Sequence, residues 1–133
     1  MIKINTRSKN LTPEKVHNLV YNTILWCQSN LGVNNRRSKK FTAQIQALSL
    51  DAMGDFNYKT NTITVYHWNN RNVKEIICTT IHEYTHYLQP IRTKYNKLAK
   101  VYKYYSKHPM ERQAVRMERH YKTCWNEIRK NIL

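Results

Sequence analysis

Two histidines and a glutamate, in the run His82-Glu83-Tyr84-Thr85-His86, are the residues of this sequence best suited to do chemistry. On a helix, positions four apart differ by about 40° around the axis, so both imidazoles leave one face, one turn apart. That spacing suits two ligands of a tetrahedral zinc ion. Glu83 is offset by about 100°, which puts its carboxylate beside such an ion rather than on it. From there it could take a proton from an attacking water and return it to a leaving group. With six His and six Glu in 133 residues, composition alone gives the pattern about 0.01 times per chain.

The elements that must position these residues can be read from periodicity. Residues 73–89 form a strongly helical stretch, entered from the polar loop Asn69-Asn70-Arg71-Asn72 and broken at Pro90; the apolar run Ile76-Ile77-Cys78 precedes the motif. Upstream, Thr12-Pro13-Glu14 predicts a helix start, Val16, Leu19, Val20, Thr23, Ile24, Cys27 and Leu31 recur at helical steps, and Gly32 terminates the segment. The period then changes to that of strands. Ile45, Ala47 and Ser49 alternate with Gln44, Gln46 and Leu48, residues 54–58 suggest a second strand, and Thr62-Ile63-Thr64-Val65-Tyr66 a third, after the turn Lys59-Thr60-Asn61. A further helix is predicted over residues 91–106, and another from Pro109 almost to the C-terminus.

A catalytic zinc needs three protein ligands and an open position. Beyond Gln89 the candidates for the third are His108, Glu111, Glu118, His120 and Glu127. Glu111 lies one turn into a helix that must fold back over the motif helix, and Glu118 follows one heptad later on the same face. Each also has an ordinary explanation. An acid in a first helical turn compensates the dipole, and Glu118 could pair with Lys122 four residues on. On spacing alone the choice among Glu111, Glu118 and a histidine stays open.

Strand Thr62–Tyr66, a short loop and a helix carrying His82-Glu83-x-x-His86 together resemble the minimal core of the zincin metallopeptidases. The segment Pro109-Met110-Glu111-Arg112-Gln113-Ala114 is similar to the Pro-x-Glu-x-x-Ala segment of the gluzincin branch. Small relatives of this kind include the peptidases that cleave phage immunity repressors and, with a histidine as third ligand, the Spartan/SprT-like DNA-associated proteases. The resemblance covers roughly residues 41–120. It implies a zincin-like α+β fold, one Zn2+ held by His82, His86 and Glu111, and endopeptidase activity on a protein or peptide with Glu83 as catalytic base. It also implies that the strand before the motif helix, Thr62–Tyr66, forms the sheet edge to which an extended substrate adds antiparallel. Many gluzincins place an aspartate four residues after the glutamate ligand to orient a ligand histidine. Here that position is Val115, so Glu118, Glu75 or a backbone carbonyl would have to serve. His120, Tyr121, Tyr102, Tyr104 and Tyr105 are candidate donors to the oxyanion.

Composition sets the outer bounds. The length and 41% hydrophobic content suit a single domain with its own core, taken as residues 1–133, an α+β unit with a small three-stranded sheet packed on helices. No apolar run is long enough to span a membrane, and the start of the sequence resembles no signal peptide. Three unpaired cysteines then suggest a reducing, cytoplasmic setting, or a host cytoplasm or virion if the chain is viral, as its Asn- and Lys-rich, Gly-poor usage hints. A net charge of +15 favours polyanionic partners. The positive residues gather in a loop cluster (Arg36, Arg37, Lys39, Lys40), a lysine stripe (Lys94, Lys97, Lys100, Lys103, Lys107) and a helical stripe (Arg112, Arg116, Arg119). The competing expectation is therefore a basic nucleic-acid-binding or virion-associated protein with the same fold and a vestigial or regulatory zinc site.

Overall fold

The computed structural model describes residues 1–90 and 108–132. Helix α1 (Pro13–Asn30) begins where expected: Thr12 Oγ1 accepts from the Lys15 N–H at 3.2 Å, with Pro13 in the first turn. Gly32, at φ +90°, takes the left-handed conformation just beyond its end. Strands β1 (Thr42–Gln46), β2 (Gly54–Asn57) and β3 (Thr62–Tyr66) follow, then helix α2 (Val73–Leu88). Asn72 caps α2 by accepting from the Glu75 N–H at 3.0 Å. Helices α3 (Pro109–Met117) and α4 (Tyr121–Ile128) are separated by a 3-10 turn, Glu118–His120. The helix expected to run on from Pro109 is thus broken at Glu118. The helix expected over residues 91–106, with its lysine stripe and Tyr102, Tyr104 and Tyr105, lies outside the described residues.

The sheet is mixed, in the order β1-β3-β2, with β1 parallel and β2 antiparallel to β3. This corrects the expectation that Thr62–Tyr66 is an edge. β3 hydrogen-bonds on both sides, and its three central residues, Ile63, Thr64 and Val65, are all buried. Inner strands are buried on both faces, and a run of β-branched residues fits that place. The edge on the side of α2 is β2. The first strand is also shorter than the alternation suggested, because Asn69 captures Ser49: its Oδ1 accepts from the Ser49 N–H at 3.0 Å and its Nδ2 donates to the Ser49 carbonyl at 2.8 Å. Residues 47–53 become a loop.

Helices α1 and α2 pack on the sheet and on each other. Leu19, Val20, Ile63, Val65, Ile76, Ile77 and Ile81 form the centre of the core. Tyr84 and Tyr87 close it at the C-terminal end of α2, where the Phe41 ring lies 4.6 Å from that of Tyr87. The described helices are too short or too polar to cross a membrane.

Candidate metal centre

Helix α2 turns its apolar stripe to the core and its motif face to a cleft of about 880 Å³. His82, Glu83 and His86 line the cleft, and α3 closes over it. Pro109 starts α3, whose cap is His108: its Nδ1 accepts from the Met110 N–H at 3.2 Å. One turn in, Glu111 is buried, and its Oε1 lies 3.0 Å from Nε2 of His82 and 3.0 Å from Nε2 of His86. His82, His86 and Glu111 form a cluster able to hold a metal ion, their ligand atoms all within 4.8 Å of one another. Donors at bond lengths of about 2.0–2.1 Å around a tetrahedral zinc stand about 3.3 Å apart, and the two spacings from Glu111 to the histidines, 3.0 Å each, lie within a few tenths of an ångström of that.

The outer nitrogens decide which way the lone pairs point. His82 Nδ1 lies 2.9 Å from Glu118 Oε2, an acceptor. His86 Nδ1 lies 2.7 Å from Gln89 Oε1. The Gln89 amide cannot be turned, because its Nε2 donates to the Met110 carbonyl at 2.8 Å and to Gln113 Oε1 at 2.9 Å. Both imidazoles therefore commit a proton to Nδ1, which leaves two Nε2 lone pairs facing one carboxylate oxygen. Three lone-pair atoms converging on one point repel each other unless a cation or added protons lie between them. Without a metal, protons serve. Burial lowers the His82 pKa, but its bonds to Glu111 and Glu118 outweigh that and raise it from the usual 6.5 to about 10. His86 moves up for the same balance of causes, burial opposing and Glu111 raising.

Glu83 stands beside this cluster, buried, and among the described residues no hydrogen bond holds its carboxylate. Burial raises its pKa to about 7, against the pull of His86 and His82 and with a push from Glu111 and Asp55. That suits a base working near neutral pH.

Compared with known proteins, the chain matches no protein-family model, no curated protein and no solved structure.

Of the candidates for a third ligand, the structure brings Glu111 to the histidines. Glu118 instead supports His82 from behind, in the place left by Val115. The 3-10 turn that interrupts the helix carries it there, and no ion pair with Lys122 forms among the described residues. Glu75 is committed to Arg71 at 2.7 Å. Glu127 accepts from the Trp26 indole, and His108 caps α3. His120 and Tyr121 do not line the cleft; Tyr121 sits under the Lys74 ammonium, 4.8 Å from its ring centre.

Other contributors went unrecognised in the sequence. By periodicity Gln89 is only the last residue of its helical stretch, although its place three residues after His86 and just before Pro90 is a signal for a side chain folding back along the helix. Asn70, fully buried, ties the cleft wall together: its Nδ2 donates to the carbonyls of Met53 (3.0 Å) and Tyr66 (2.8 Å), and its Oδ1 accepts from Thr79 Oγ1 at 2.6 Å. Gly54 permits the closest approach of β2 to α2. A Cβ there would stand 2.5 Å from Thr79 Cγ2 and 3.3 Å from Glu83 Cγ.

Proposed function

We propose that this protein is a zinc-dependent endopeptidase of zincin type, with zinc held by His82, His86 and Glu111 and Glu83 as the base. The observation that carries the reading is the convergence of two Nε2 lone pairs and the Glu111 carboxylate beside a buried, unbonded Glu83. A purely structural metal would be closed by four protein ligands and would have no use for a further buried carboxylate held beside it. Zinc would supply Lewis-acid polarisation of a carbonyl and activation of a water.

The protein's own groups do the rest. Glu83 takes the proton of the attacking water on a carboxylate oxygen and hands it to the leaving amine nitrogen, which departs neutral. Glu118 and Gln89 hold the two imidazoles in the tautomer and orientation the site needs. Edge strand β2, drawn close to Glu83 by Gly54, is the segment along which an extended peptide adds, antiparallel, with its scissile carbonyl beside the motif. Incubating the zinc-loaded chain with a proteome-derived peptide library and sequencing the products tests this. New termini that appear with wild type and vanish with Glu83→Gln support it; identical mixtures before and after incubation refute it.

A second reading concerns partners. Arg112, Arg116 and Arg119 are all exposed on and just after α3 and do not line the cleft, which supports contact with nucleic-acid phosphates by the same helix that carries Glu111.

A further inference from the structure

Arg37 does not join the basic surface cluster with its sequence neighbours. It lines the metal cleft, its guanidinium carbon 5.5 Å from the centre of the Phe56 ring on β2. Its Nη1 is buried with no hydrogen-bond partner, the one such side-chain atom among the described residues. Six of the chain's eight acids, Asp51, Asp55, Glu75, Glu83, Glu111 and Glu118, line the same cleft, yet none forms an ion pair with Arg37. Residues 91–107 contain no acid that could. A buried N–H left unpaired on a permanent cation is costly, and native structures keep such groups where something else completes them.

The loop that carries Arg37 is built rather than loose. Asn34 Nδ2 donates to the Tyr87 carbonyl at 3.1 Å, Asn61 Nδ2 donates to the Ser38 carbonyl at 2.9 Å, and Gln28 Nε2 donates to the Lys39 carbonyl at 2.9 Å. Arg37 is thus pinned on both sides and laid against the edge strand. Phe56 lies two residues along β2 from Gly54, about 7 Å at the rise of a strand.

We infer that Arg37 is a specificity-determining residue that binds a carboxylate of the substrate peptide about two residues from the bond cut. The identity of the ligand as a peptide rests on the peptidase reading; the carboxylate-binding role of Arg37 does not. With the peptide antiparallel to β2, the segment beside Phe56 lies N-terminal to the scissile bond, so the carboxylate is that of an Asp or Glu side chain. A peptide running the other way would present its C-terminal carboxylate instead.

Two measurements decide the matter. In the first, the zinc-loaded chain is titrated with N-acetyl-glutamate methylamide, N-acetyl-glutamine methylamide, and acetyl-Gly-Gly as free acid and as amide, following the Arg37 Nε–Hε resonance, assigned by its loss in Arg37→Gln. The carboxylate probes should shift that resonance and bind about tenfold or more tightly than their amides, a preference lost in Arg37→Gln. Equal binding of acid and amide, or a preference that survives the substitution, overturns the inference. In the second, products of the peptide-library digest are aligned on the cut. Asp or Glu two or three residues before it identifies the side-chain source, and a free C-terminus about two residues after it the terminal source. Cleavage with neither preference overturns the inference and leaves the peptidase reading standing. If no peptide is cut, the peptidase reading falls and the probe titration alone upholds or overturns carboxylate binding by Arg37.

Discussion

At the scale of single residues, the motif His82-Glu83-x-x-His86 was legible because its chemistry depends on helical spacing alone. The supporting shell was not, because it depends on how α3 closes and where its helix breaks. Under the proposed function, Glu83→Gln should keep metal and fold while lowering peptide cleavage by about three orders of magnitude, since it would remove both base and proton carrier. Gln89→Leu and Glu118→Gln act differently. Each leaves all three ligands in place but frees an imidazole to turn, so zinc affinity measured by chelator competition should fall about 10–100-fold. The site also ties stability to pH. The His82 pKa is raised from 6.5 to about 10, so its contribution to the metal-free fold is complete below pH 6.5 and lost as pH rises through 10. A zinc ion at the proposed site would have to displace those protons and would therefore bind better as pH rises. The gap in Tm between zinc-loaded and chelator-treated protein should widen steadily from pH 6 to pH 9, and a gap that narrows would contradict the assignment of His82.

At the scale of elements, caps and periodicity foretold α1, α2 and the start of α3, because a Thr-Pro or an Asn at a helix entry acts locally. The sheet order did not follow from local pattern. Which of two neighbouring strands lies inside depends on the crossover from β1 to β3, a contact between residues 20 apart. The sign that β3 is central was its unbroken run of β-branched residues from Thr62 to Val65, against the glutamines of β1 and Asp55 on β2. Gly54 makes the pairing of edge and motif helix testable. Gly54→Ala should destabilise the fold by about 1–3 kcal/mol in urea titration, as overpacked sites do, and lower cleavage by displacing β2 from Glu83. Adding Thr79→Ser removes the nearest methyl and keeps the hydroxyl that donates to Asn70. The double variant should recover part of the loss, and strict additivity would mean that the strand does not rest on Thr79.

At the scale of the whole molecule, composition indicated a basic single-core protein, but not where its few acids go. Six of the eight line the cleft, while Arg112, Arg116 and Arg119 are exposed outside it. If Arg112, Arg116 and Arg119 all meet phosphates, replacing them with Gln should flatten the slope of log affinity against log salt on duplex DNA by up to about 3. Binding that is absent at low salt would assign the charge to another role. The proposed chemistry requires one cation at His82, His86 and Glu111. The most direct test is elemental analysis of protein purified without chelator, wild type beside His86→Ala and Glu111→Ala, each checked for folding by circular dichroism. About one zinc per wild-type chain is expected, with a large loss in both variants. Equal zinc in all three folded proteins, or none in the wild type even after zinc is supplied, would contradict the proposed chemistry.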